Sequence, residues 1–99
     1  MSAAHRSREW LTFSKQQRKH VWDPRIAAGG VACRRCRGVI RKGTRYHLGH
    51  IVDVRLGGAL CDPSNVWPEH VRCNTQAGAQ LGHAIRYAAK RRDEREPGW

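Results

Sequence analysis

Tyr46-His47-Leu48-Gly49-His50-Ile51 and Ser64-Asn65-Val66-Trp67-Pro68-Glu69-His70-Val71-Arg72-Cys73-Asn74 are the stretches that decide the fold, with Cys33-Arg34-Arg35-Cys36 upstream of both. A strand is expected to end near His50 or Ile51, and Arg55-Leu56-Gly57-Gly58 then reads as a turn or loop. Leu60 and Cys61 are candidates for a brief returning strand, and Asp62-Pro63-Ser64-Asn65 has turn chemistry. The last long element reads as a helix from about Pro68 or Cys73 towards Arg92. Its apolar stripe is Ala77, Leu81, Ala84, Ile85, Ala88 and Ala89, and its far end is basic. Upstream, residues 7 to 22 read as a basic amphipathic helix capped by Ser7 and stopped by Pro24, and Gly29-Gly30 marks a break. Val39-Ile40 and Thr44-Arg45-Tyr46 are short strand candidates on either side of Lys42-Gly43. Pro97-Gly98-Trp99 reads as a frayed tail.

The cysteines are read against the size of the chain. With 99 residues it is one domain that buries only about 60 to 65% of its unfolded surface, and its aromatic residues are one Phe, two Tyr and four Trp. A structural metal would supply stability that so small a core lacks. Cys33 and Cys36 form one knuckle-like pair, in which Gly38 is expected to take the positive backbone dihedral as the chain doubles back. His70 and Cys73 repeat the two-residue gap, and three thiolates with one imidazole suit tetrahedral zinc. Cys61 competes with His70 for the fourth place. His70 is preferred because it can share one turn with Cys73, whereas Cys61 lies across a loop. In either set, four protein ligands leave no open position, so this Zn2+ is a staple. Outside the metal set, Cys61 reads as a buried small hydrophobe.

Lysine and arginine number 19 against 8 acidic residues, a formal net charge of +11. A polyanionic partner follows, because arginine binds phosphate bidentately and each neutralised phosphate releases counterions. No stretch approaches the roughly 18 apolar residues of a membrane span. The opening Met1-Ser2-Ala3-Ala4-His5-Arg6-Ser7-Arg8 lacks the apolar middle of a signal peptide. The expectation is a cytoplasmic protein in a reducing compartment, where cysteines at this spacing are ligands rather than disulfides.

Residues 33 to 78 resemble the HNH endonuclease family. The family pattern is a histidine ending a strand, an asparagine after a loop with paired glycines, and a metal-binding His or Asn on the next helix, often framed by two cysteine pairs. His50, Asn65 after Gly57-Gly58, and Asn74 directly after Cys73 match it. The runs Leu48-Gly49-His50 and Pro68 to Asn74 are similar to those of small HNH proteins encoded by bacteriophages. The resemblance implies an α+β fold: a small zinc-stapled ββα-metal domain over residues 26–96, preceded by a basic N-terminal helix or extension over residues 1–25 and closed by a long C-terminal helix. It implies a nuclease that hydrolyses phosphodiester bonds in DNA, nicking with little sequence discrimination of its own. A terminase large subunit of a phage DNA-packaging machine is the protein partner it suggests.

The residue types suit that chemistry. His50, with an unperturbed pKa of about 6.5, can deprotonate water at neutral pH. The resemblance gives Asn65 the role of bracing the loop and orienting the His50 ring, and Asn74 that of a ligand to a catalytic cation. Oxygen ligands suit Mg2+ or Mn2+, and an added histidine would extend the range to Ni2+, Co2+ or Zn2+. One departure matters: family members commonly carry Asp, Glu or His immediately before the base, and here that position is Gly49. His47 is the expected substitute, brought in by a bulge at Gly49, and Asp53 is the second candidate. Arg55, Arg72, Arg86 and Lys90 are expected to contact DNA, whereas His5, His20 and His83 read as surface residues. The alternative reading is a non-catalytic zinc-stapled DNA-binding module. A zinc-organised protein adaptor is a third.

Overall fold

The computed structural model describes residues 4–95, so the 97–99 tail lies outside the described residues. The architecture is α+β: a long N-terminal helical arm, two small antiparallel hairpins and a long C-terminal helix. Ser7 caps α1 (Arg8–Gln17) by accepting the Trp10 N–H at 3.2 Å. The arm does not stop at Pro24. A π turn over Arg18–Trp22 carries it into α2 (Asp23–Gly29). In that turn the Asp23 N–H reaches back five residues to the Arg18 carbonyl. The shifted register leaves Pro24 in the first turn of α2, where a missing N–H costs nothing.

The chain then reverses twice. β1 (Val31–Ala32) pairs antiparallel with β2 (Val39–Ile40) around the Cys33–Cys36 knuckle. The positive dihedral there belongs to Arg37 (φ 64°) rather than to Gly38. After a turn at Lys42-Gly43, β3 (Tyr46–His50) pairs in unbroken register with β4 (Val66–His70), from Tyr46 opposite His70 to His50 opposite Val66. The returning strand is therefore Val66–His70, not Leu60-Cys61. Pro68 is tolerated in it because β4 is an edge strand of a two-stranded sheet, and on its outer side the Pro68 carbonyl accepts from the Arg34 N–H at 3.3 Å. α3 (Val71–Arg95) follows β4 without a loop.

One core joins all three parts. Trp10, Trp22 and Ile26 come from the arm, Val31, Cys33 and Ile40 from the first hairpin, and Tyr46, Leu48 and Val66 from the second. Polar contacts bind the same surfaces. The Tyr46 hydroxyl donates to Asp23 at 2.5 Å, and the Arg18 guanidinium lies 4.4 Å over the Tyr46 ring while donating to its carbonyl. Burial and the Asp23 carboxylate both raise the Tyr46 phenol above its ordinary range, so it stays a donor. The arm thus shares a core with the hairpins.

α3 is different. The expected apolar stripe is half-buried at Ala77 and Leu81 and exposed at Ala84, Ile85, Ala88 and Ala89, because the helix runs beyond the hairpins it rests on. Among the described residues no helix is long and apolar enough to cross a membrane.

Two adjacent glycines give opposite expectations. Gly30 has φ 87°, and a Cβ there would meet Val39 Cγ1 at 2.6 Å and the Ile40 carbonyl oxygen at 2.9 Å. Gly30→Ala should destabilise the fold by about 1 to 3 kcal/mol. Gly29 lies in the helix with nothing near its Cβ position, so Gly29→Ala should be neutral or stabilise by up to about 1 kcal/mol. Urea unfolding of both variants, followed by circular dichroism, checks the pair.

Candidate functional site

The candidate metal centre is assembled from two turns. The Cys33 N–H donates to the Gly38 carbonyl at 2.8 Å and the Arg37 N–H to the Cys33 carbonyl at 2.9 Å, closing the knuckle so that Cys33 and Cys36 face one point. His70 ends β4 and Cys73 lies in the first turn of α3. The ligand atoms of Cys33, Cys36, His70 and Cys73 all lie within 4.8 Å of one another, with Cys36 Sγ 3.3 Å from His70 Nδ1. A tetrahedral zinc site asks for sulfur atoms about 3.8 Å apart. Closing the difference takes small side-chain movements.

The protonation chemistry also fits a cation. Burial opposes ionisation of Cys33, yet backbone N–H donors of Cys36, His70 and Arg35 hold its thiol down to about 6. Loss of water, together with the Cys36 and Cys33 sulfurs beside it, pushes Cys73 up to about 11. Three thiols in one small volume cannot all ionise without a positive charge among them. Cys61 stands apart: burial and the Glu9 carboxylate raise its thiol.

The resemblance-derived residues are placed as follows. His50 is the last residue of β3 and is 8% exposed. Its Nε2 lies 2.9 Å from the Leu60 carbonyl, and only an N–H can satisfy that oxygen. In the neutral ring Nδ1 therefore carries the lone pair. It faces His5 Nε2 at 3.3 Å, and the ring packs on Trp10 with centroids 4.8 Å apart. His5 is thus not a free surface residue. Burial first, and His50 second, lower its pKa. Nothing in the sequence marked His5 or the Leu60 carbonyl as neighbours of His50.

Asn65 is buried and knots the loop after β3. Its Oδ1 accepts from the Val52 N–H at 2.8 Å, and its Nδ2 donates to the carbonyls of Ala59 at 2.8 Å and Val52 at 3.1 Å. Ala59 precedes Leu60, so Asn65 fixes the segment whose next carbonyl holds the His50 ring. Asn74 is half-buried in the first turn of α3.

His47 is opposite Glu69 and lines an open cleft with Arg18, Thr44, Arg45, Tyr46 and Val71. The regular register means that no bulge at Gly49 turns His47 towards His50. Burial, Arg18 and Arg45 lower the His47 pKa. Asp53 is held low chiefly by Arg55, which donates to its Oδ1 at 3.0 Å and to the Gly78 carbonyl at 3.3 Å.

Of the basic residues expected to contact DNA, all but Arg55 sit on α3. At about 100° per residue Arg72, Arg86 and Lys90 lie within roughly 40° of one another, an exposed stripe that His83 joins. Arg55 approaches it over Gly82, where a Cβ would meet both Arg55 Nη1 at 3.3 Å and Arg86 Nη1 at 3.4 Å.

Comparison with protein-family models, with curated proteins and with solved structures gives no match.

Cys36→Ser or Cys73→Ser should strip the bound zinc and lower the unfolding midpoint, as should a strong chelator. Cys61→Ser should keep the metal and change stability by no more than about 1 kcal/mol. Zinc quantified with a chromogenic chelator after thiol modification separates the two outcomes.

Proposed function

We propose that this chain is a metal-dependent DNA endonuclease of the HNH type, hydrolysing phosphodiester bonds and nicking with low intrinsic sequence specificity. The observation that carries the reading is His50 at the end of β3, with Nε2 committed to the Leu60 carbonyl and Nδ1 left as the basic nitrogen. The hairpin followed by a helix, tied at its base by the Cys33, Cys36, His70 and Cys73 cluster, is the frame such a site requires.

In this reading Nδ1 of His50 takes a proton from water. The hydroxide forms a bond to phosphorus, the bond from phosphorus to O3′ breaks, and the leaving oxygen acquires a proton from solvent. His5 Nε2 lies 3.3 Å from that nitrogen, so the N-terminal segment moves aside, or water enters between the rings, before the base can act. Asn65 keeps Leu60 in place by tying Ala59 and Val52. Asn74 offers an amide oxygen to a cation. When bound, Mg2+ or Mn2+ would stabilise the charge developing on the phosphate and on the leaving oxygen. The stripe of Arg72, Arg86 and Lys90, with Arg55 beside it, supplies phosphate contacts that position without reading sequence. Target choice then falls to a partner, and the large subunit of a packaging terminase is the one to test.

A second reading, a zinc-stapled DNA-binding module, is favoured by one observation: Gly49 offers no metal-binding side chain before His50.

Supercoiled plasmid incubated with the zinc-loaded protein tests both. Nicking should need added Mg2+ or Mn2+, stop with EDTA, and fall by about 100- to 10,000-fold in His50→Ala while its zinc content holds. No cutting with any cation, alongside salt-sensitive DNA binding that His50→Ala leaves unchanged, would leave the binding module.

A further inference from the structure

The carboxylate missing from position 49 is present in space. β3 and β4 pair with His47 opposite Glu69 and Gly49 opposite Trp67, which puts Glu69 diagonal to Gly49 on the same face of the hairpin. A Cβ built on Gly49 would overlap the Glu69 carboxylate, with Cδ only 2.5 Å away. The Glu69 head group thus occupies the volume that a side chain at position 49 would fill. A glycine there is a requirement of the packing.

The state of that carboxylate is the second observation. Glu69 is 0% exposed. Its Oε1 accepts from Arg35 Nε at 3.0 Å, while Oε2 is buried with no hydrogen-bond partner. A buried carboxylate oxygen left unpartnered is costly, and one guanidinium answers only half of the group. Among the described residues only Trp22 Nε1 shares this condition, and it is a donor. An oxygen of this kind, filling the side-chain position of the residue that precedes His50 and close in sequence to Asn74, suits a hard divalent cation.

We infer that Glu69 is the carboxylate ligand of the catalytic cation, delivered from β4 into the place a side chain at position 49 would take on β3. The cation's catalytic role rests on the endonuclease reading above; its binding to Glu69 does not. The competing role is structural: Glu69 would serve only to hold Arg35, and through it the zinc knuckle, against β4.

Binding of Mn2+ to the zinc-loaded full chain, without DNA, followed by the loss of the free-ion electron paramagnetic resonance signal, distinguishes these roles. Glu69→Gln should weaken Mn2+ binding by about tenfold or more while structural zinc is retained. Gly49→Asp combined with Glu69→Ala should restore it to within a few-fold, because the carboxylate returns from the other strand into the space that the glutamate head group leaves. Arg35→Met should leave binding intact or tighten it. Unchanged binding in Glu69→Gln, or loss of binding in Arg35→Met equal to that in Glu69→Gln, would overturn the assignment. Should the Glu69 variants fail to fold, wild-type protein still decides. Substoichiometric Mn2+ should broaden the amide resonances of Gly49 and Glu69 first, and broadening confined elsewhere would overturn it. Plasmid nicking that survives Glu69→Gln but not His50→Ala would sink this inference alone. Mn2+ bound at Glu69 without nicking would sink the nuclease and leave the site.

Discussion

Convergence of Cys33, Cys36, His70 and Cys73 within 4.8 Å is the constraint on which the rest of the molecule depends. It joins two places far apart in sequence, a knuckle between β1 and β2 and the junction where β4 becomes α3. With the junction fixed, β4 has a defined end, its register against β3 is set, and His50 falls opposite Val66 at the hairpin's far end. With nine buried hydrophobic residues among those described, there is little else to enforce that register. Around the cluster, backbone N–H groups already point at Cys33 and favour its thiolate over its thiol.

The arm adds a second level. Trp10 and Trp22 bring a helix that begins well outside the hairpins into their core, and Trp10 lies directly on the His50 ring. An imidazole between an indole face, a carbonyl and a second imidazole is oriented with little freedom, which favours a single tautomer. The same packing places His5 at the ring nitrogen that the proposed reaction would need free, so the segment that helps to orient His50 also covers it. Access to His50 is therefore a property of the arm as well as of the hairpin.

The metal cluster was legible because its information is local: two pairs with equal gaps, each able to turn on itself. The choice of His70 over Cys61 was legible for the same reason. The arm was misjudged at Pro24 because the rule that proline ends helices assumes an unbroken register, and the π turn over Arg18–Trp22 changes that register. β4 was missed because Pro68 and the turn before it hide a strand that is one residue away from a helix. The outer half of α3 carries an apolar stripe that sequence assigns to a core, yet the hairpins are too small to reach it. His5 was illegible altogether, since its contact with His50 spans 45 positions and leaves no periodic trace.

If Glu69 holds the cation as proposed, Gly49 and Glu69 illustrate how a linear motif can look incomplete while the site is not. A motif records which residue stands next to the base along one strand, but a cation responds only to where oxygen atoms lie. Antiparallel pairing gives two routes to the same point, a side chain from position 49 or a longer one crossing from β4, and steric exclusion allows only one at a time. The glycine and the buried glutamate are thus a single feature divided between two strands. Either residue alone reads as a defect: a vacancy beside His50, or a carboxyl group buried with one oxygen unpartnered. Taken together, each removes the objection to the other.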